Sequence, residues 1–216
     1  MITILLATYN GERYIEKSIN SIINQTYDDW KLLIGFNGTT DSSKEIVNKF
    51  NDPRIKIFDY NDDIGKSKTL NKLLNEVDTD WVGIQDDDDV WFNEKLEQQI
   101  KYIEDFDVIG TQINYINEFD EYIGGPNLSL DDIDIKHKSF NGDNQMANTS
   151  SIFKTSCAKN INGWSENIDG IEDFDFWLRL MRNDYKFKNL DIPLVNHRLH
   201  NKSNFNTNSY DITKIL

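Results

Sequence analysis

Residues 82–91 read VGIQDDDDVW, so a short apolar stretch runs without a spacer into four aspartates and then into Trp91 and Phe92. An apolar run of that length fits a strand buried in a sheet, and four adjacent carboxylates cannot follow it into a core. The chain must therefore deliver these residues to the edge of its packed interior, at a strand end. Four carboxylates there repel one another, and the nearby sequence offers few cations, so the corner needs a neutralising group from outside the chain. Hard oxygen ligands suit Mg2+ or Mn2+, which take one or two protein carboxylates and leave other positions to water and substrate phosphates. Taken alone, a charge run is more often a solvated acidic turn; its place among the segments described next argues for the metal.

Those segments alternate. Residues 2–7 are continuously apolar, as in a strand buried on both faces, and Ile15, Ile19, Ile22 and Ile23 follow at helical spacing. Further strands are expected at 32–36, 55–58 and 81–84. Between them, helices are expected after the capping-box pattern of Ser42 and Glu45 and over 66–76. Strand and helix in alternation predict an α/β fold with a mostly parallel open sheet and helices on both faces. Ligands of such sheets bind beyond the carboxyl ends of the strands, which singles out loops 8–11, 37–41, 61–67 and 86–91. After a helix at 93–105, the pattern predicts a strand pair at 108–115 and 118–123, a polar loop over 124–143 and a strand at 151–153. A helix then carries Phe174, Trp177, Leu178 and Met181 as a core stripe, and LVNHRLH reads as a closing strand before a polar tail. No repeat or linker divides the 216 residues, so one domain is expected.

The formal net charge is −14 and no cluster of Lys and Arg opposes it, which excludes nucleic acid as a partner. Cys157 is the one cysteine, so the chain can build neither an internal disulfide nor a thiolate zinc site, and Cys157 reads as a small buried hydrophobe. No stretch approaches the roughly 20 apolar residues of a membrane span, and the N-terminus lacks a basic leader, so a cytoplasmic location is expected. Gly65-Lys66-Ser67 shares the ending of a Walker A loop. The match fails because Tyr60 stands at the partner glycine and Asn61-Asp62-Asp63 would repel a phosphate. The dinucleotide fingerprint, the EF-hand glycine and the prenyl-diphosphate acid pattern are also missing. What remains is a metal at strand-end aspartates in an open sheet, an arrangement that fits a nucleotide diphosphate.

TYNGERYIEKSINSIINQTY, GTTDSS, NDDIGKSKTLN, DDDDVWFNEKLEQQ, GIEDFDFWLRL and HRLHNKS, in that order, resemble the inverting glycosyltransferases of family 2. The resemblance spans nearly the whole chain. It implies a single GT-A (nucleotide-diphospho-sugar transferase) domain over 1–216, with a nucleotide-binding half at 1–105 and an acceptor-binding and catalytic half at 106–216. It implies a metal-dependent transfer of a sugar from a nucleotide-diphosphate donor, UDP-linked, to a hydroxyl of a glycan, lipid or protein acceptor. By resemblance, Asp86, Asp87 and Asp88 form the DxD motif. Asp86 would lie near the ribose or metal, and Asp88, with Asp86 and His200, would hold Mn2+ or Mg2+. Asp89 would hydrogen-bond nearby backbone. Thr8, Tyr9, Asn10 and Glu12 would line the nucleotide, as would Asn37, where the family has an aspartate that reads uracil. An amide donates as well as accepts, which leaves the base open.

Lys68 and Asn71 fall on the helix that flanks the nucleotide in relatives, and either equally fits an exposed helical face. Glu172 and Asp173 resemble the family's acid pair, with Asp173 as general base. The bland alternative is two acids complementing a helix dipole, and the two readings are compatible. Arg198, His200 and Lys202 are the cations expected near the diphosphate, while His197 reads as a surface residue. Asn148 and Trp164 fall where relatives build the acceptor face, although an aromatic there could equally fill core. Two other readings remain open at this stage. One is a catalytically inactive sugar-nucleotide-binding module. The other is a nucleotidyltransferase, which would want phosphate-binding groups near the first strand, where TYNGER supplies only Gly11 and Arg13.

Overall fold

The computed structural model describes residues 1–168, 170–201 and 212–216. In the first half, β1 (Ile2–Thr8), β2 (Trp30–Asn37), β3 (Ile55–Tyr60) and β4 (Trp81–Ile84) alternate with α1 (Ile15–Ile23), α2 (Ser43–Val47) and α3 (Lys66–Asn75). These strands pair in parallel in the order β3-β2-β1-β4, with Leu5 of β1 opposite Leu33 on one side and Ile84 on the other. The parallel order follows from the helical crossovers, since no hairpin can join neighbouring parallel strands. β1 is buried on both faces: Leu5 packs with Leu70, Leu73 and Trp177, whereas Ile4 and Leu6 pack with Ile15, Ile19 and Ile22 of α1.

The second half extends the same sheet with mixed pairing. It contains β5 (Val90–Trp91), α4 (Lys95–Gln99), β6 (Val108–Ile116), β7 (Tyr122–Gly124), α5 (Asp132–Phe140), β8 (Ile152–Lys154), α6 (Thr155–Asn160), α7 (Glu172–Arg182) and β9 (Phe187–Arg198). β8 joins β4 and β6 antiparallel, β6 runs parallel to β9, and β9 closes antiparallel on β5. That last pairing sets Val90 opposite Asn196, so the strand after the four aspartates is stitched to the end of the chain's longest strand.

Three expectations are corrected. The stretch 124–143 is not a loop throughout, because Asp131 accepts a hydrogen bond from Asp134 N and caps α5. The helix expected over 93–105 is confined to α4 and a 3-10 turn at Ile100–Tyr102. No capping box forms at Ser42; the Asp41 carboxylate instead accepts from both the N–H and the hydroxyl of Ser43 at 3.0 and 2.6 Å. Among the described residues no helix is long and apolar enough to cross a membrane.

Candidate active site

The four aspartates leave β4 in a tight turn whose frame is made by buried amides and hydroxyls. Asp89 N returns to Asp86 O, Ser18 Oγ donates to Asp86 O at 2.9 Å, and Gln85 Nε2 donates to Asp89 O at 2.9 Å. Gln85 Oε1 accepts from Thr149 Oγ1, and Trp91 Nε1 donates to Thr149 O, so the turn is anchored to β8's approach as well as to α1. A backbone held this way keeps its carboxylates in place despite their repulsion.

Each carboxylate has a different partner. Asp86 Oδ1 accepts from Lys66 Nζ at 2.8 Å, and its Oδ2 lies 3.4 Å from Asn148 Nδ2. Burial would raise the Asp86 carboxyl, but the Lys66 ammonium outweighs it and holds the group below the usual range. Asp87 accepts from the Thr8 hydroxyl; burial first, and Asp88 second, push its carboxyl up to about 8. Gly11 passes so close to Asp87 that a Cβ there would collide with the carboxylate. Asp88 Oδ2 lies 2.9 Å from His200 Nε2. Asp89 is fully buried and takes the backbone N–H of Arg198 at 2.8 Å and His197 Nδ1 at 3.0 Å, the backbone partner expected for it. His197 is thus no surface residue. Burial pulls its imidazole down, but Asp89 prevails and lifts it to about 9.

Glu172 and Asp173 open α7 and face the same cleft. Glu172 Oε1 lies 3.8 Å from Lys66 Nζ, and Asp173 Oδ1 accepts from Phe174 N at 2.7 Å. Burial, then the neighbouring Glu172, raise Asp173 to about 6. Lys66 is the group that the sequence reading passed over, noticed there only as part of a failed phosphate loop. Its significance depends on Asp86 and Glu172, which arrive from other elements.

Several expected site residues take internal roles. Arg198 has 0% exposure: Nε donates to Asp88 O at 2.9 Å, Nη1 to Asn117 O at 3.0 Å, Nη2 pairs with Asp120 at 2.7 Å, and the guanidinium covers the Tyr14 ring at 4.4 Å. It clamps the acid turn from behind and does not reach an open diphosphate site. Trp164 is 2% exposed and stacked on Phe176 at 4.5 Å, so it fills core and offers no sugar platform. Asn71 bonds both the N–H and the carbonyl of Trp164. Asn37 accepts from Ile64 N and Gly65 N and donates to Asp63, so both ends of its amide tie the 61–65 loop. Asn10, at φ 56, accepts from Thr40 N and Asp41 N, and Glu12 accepts from Ser42 N. Thr8 is buried and Tyr9 is 53% exposed beside them, while Lys68 lies on the exposed side of α3. Asn148 is buried with its Oδ1 unpartnered. Lys202, the remaining cation expected near the diphosphate, lies outside the described residues.

Among the described residues no three His, Cys, Asp or Glu side chains are grouped to hold a metal ion; Asp88 and His200 bond each other, while Asp86 is held by Lys66. Their chemistry does fit a hard divalent cation, with carboxylate oxygens and one imidazole nitrogen at one turn. Burial first and the Asp88 carboxylate second raise the Asp87 carboxyl, and a cation at the turn would oppose the second of these.

Residues 3–160 match the model of glycosyl transferase family 2. The chain is 32% identical over 211 residues to the O-antigen biosynthesis glycosyltransferase WbnJ of Escherichia coli, covering 94% of this chain and 81% of that one. Among solved structures, S. aureus TarS 1-349 in complex with UDP-GlcNAc aligns with a TM-score of 0.77 at 18% identity, over 99% of this chain and 63% of that one. The mannosyltransferase PcManGT from Pyrobaculum calidifontis, in complex with GDP-Man and Mn2+, aligns at 0.70 with 16% identity, over 94% and 58%. The chain thus spans about three-fifths of these two solved chains, and the fold it shares with them is GT-A.

Proposed function

The chain belongs to glycosyl transferase family 2, and from that premise we propose that it transfers a sugar from a UDP-linked donor to a saccharide hydroxyl, with inversion, using a divalent cation at the acid turn. The observation that carries this reading is the convergence of two acidic pairs in one cleft, Asp86 with its neighbours from β4 and Glu172 with Asp173 from α7. In this reading the first group holds the cation that a donor diphosphate needs, and the second accepts the proton that the acceptor must lose. Asp88, Asp86 and His200 would hold Mn2+ or Mg2+, which when bound offsets the charge that develops on the leaving diphosphate. The acceptor oxygen forms a bond to the anomeric carbon as the bond to diphosphate breaks with its electron pair, and Asp173 takes the hydroxyl proton. A base poised near 6 is ionised at neutral pH and still basic enough to accept that proton.

The uridine assignment follows TarS, which was solved with UDP-GlcNAc, over PcManGT, solved with GDP-Man. The saccharide acceptor follows the O-antigen role named for the E. coli relative. Calorimetry of UDP and GDP with and without Mn2+, followed by transfer assays over UDP-sugars, tests the reading. We expect Mn2+-dependent binding of UDP, turnover of at least one donor, and loss of the metal-dependent binding in Asp88→Asn. Unchanged affinity in that variant removes the metal assignment, tight GDP binding reverses the base, and binding without turnover on any donor leaves an inactive module.

A further inference from the structure

Lys66 is the first residue of α3, and its place is fixed from below: the Asn37 side chain takes the N–H groups of Ile64 and Gly65, and Gly65 turns the chain into the helix at φ +87. From there the side chain reaches the cleft with 36% of its surface exposed. Its ammonium lies 2.8 Å from Asp86 Oδ1 and 3.8 Å from Glu172 Oε1. The other acids of the cleft have partners of their own, Asp87 the Thr8 hydroxyl, Asp88 His200, and Asp89 His197 and the Arg198 backbone. Lys66 therefore stands at the seam between the donor acids of the first half and the catalytic acids of the second.

We propose that Lys66 is a positioning residue that sets the spacing between the donor-binding acids and the Glu172–Asp173 pair, and so aligns the acceptor hydroxyl with the anomeric carbon. The inference rests on the functional reading above. Two acidic groups facing each other across a cleft separate unless a cation holds them, and α7 makes its first turn at Glu172 and Asp173. A misplacement of about 1 Å between base and reacting centre costs on the order of 10²-fold in rate. A compact ammonium suits a gap bounded by single carboxylate oxygens, whereas the planar guanidinium of arginine would retain the charge with poorer fit.

The test compares the parent enzyme with Lys66→Met and Lys66→Arg, using kcat, donor KM and hydrogen exchange of the α7 amides. We expect Lys66→Met to lower kcat by about 10- to 100-fold while donor KM stays within about threefold, with Lys66→Arg recovering part of the loss. The amides of the first turn of α7 should exchange faster in Lys66→Met than in the parent and return toward the parent rate in Lys66→Arg. Parental kcat in Lys66→Met overturns the proposal. So does a loss of donor binding equal to the loss of kcat, which would mark a lysine that merely supports the fold or the donor. If the parent transfers no sugar, the functional reading falls. The seam is then judged by exchange alone, and unaltered protection at α7 in Lys66→Met overturns it too.

Discussion

At the scale of single residues, the candidate site is governed by which acid receives which partner. Asp173 has burial and Glu172 raising it and Lys66 opposing them, which leaves it near 6. A base must be ionised to accept a proton, so kcat/KM should fall about tenfold per unit as pH drops below about 6, and stay level just above it. Asp173→Asn keeps the shape of the side chain and removes the basic lone pair; it should bind donor almost as the parent does and lose about 10²-fold or more in turnover. A pH–rate profile and single-turnover kinetics check both statements, and parental turnover in Asp173→Asn eliminates it as the base. The residues that failed their expected roles failed for one reason. Trp164 and Arg198 stand in the right order along the chain, but order does not reveal which way a side chain points. Trp164 turns onto Phe176, and Arg198 turns inward to Asp88 O and Asp120.

Elements were legible in proportion to the length of their pattern. The parallel strands carry short, mostly continuous apolar runs and α1, α3 and α7 carry apolar residues near a period of 3.6, and their ends fall within a few residues of the expected ones. α5 was not legible, since it buries only Ile135 and Ser139 and its sequence alternates like a polar loop. β5 is two residues long and exists through its pairing with β9, which no local pattern announces. Next to it, α4 buries Lys95 completely, with Nζ 2.9 Å from Gln99 Oε1 and 3.7 Å from the Trp91 ring centre, and burial draws its pKa well below the usual lysine value. The unfolded chain keeps this proton up to about pH 10.4 while the folded chain gives it up earlier, so the fold gains stability as pH rises toward that value and loses it as pH falls through the folded pKa. Lys95→Met should flatten that slope in urea unfolding followed from pH 7 to 10. An equal slope in the variant would show that the titration belongs to another group.

At the scale of the molecule, the chain closes on itself around the acid turn. β9 runs parallel to β6 and brings His197 and Arg198 back to Asp89, while the 117–121 turn is fastened by Arg13 to Glu118 and by Lys17 and Arg198 to Asp120. Exposed pairs of this kind add little stability, and the buried Arg198 provides the firmer link between turn and strand. The chain is strongly acidic, with a formal net charge of −14, and four of its aspartates stand at the turn. Under the proposed function an anionic donor approaching it is repelled at long range, and salt screens the repulsion because the Debye length shrinks from about 30 Å at 0.01 M to about 8 Å at 0.15 M. The association rate of UDP, measured by stopped flow at saturating Mn2+, should therefore rise about threefold or more across that range. A rate that falls with added salt would mean that the cation at the turn dominates the approach field, and that the remaining carboxylates are far more fully neutralised than their partners in the structure account for.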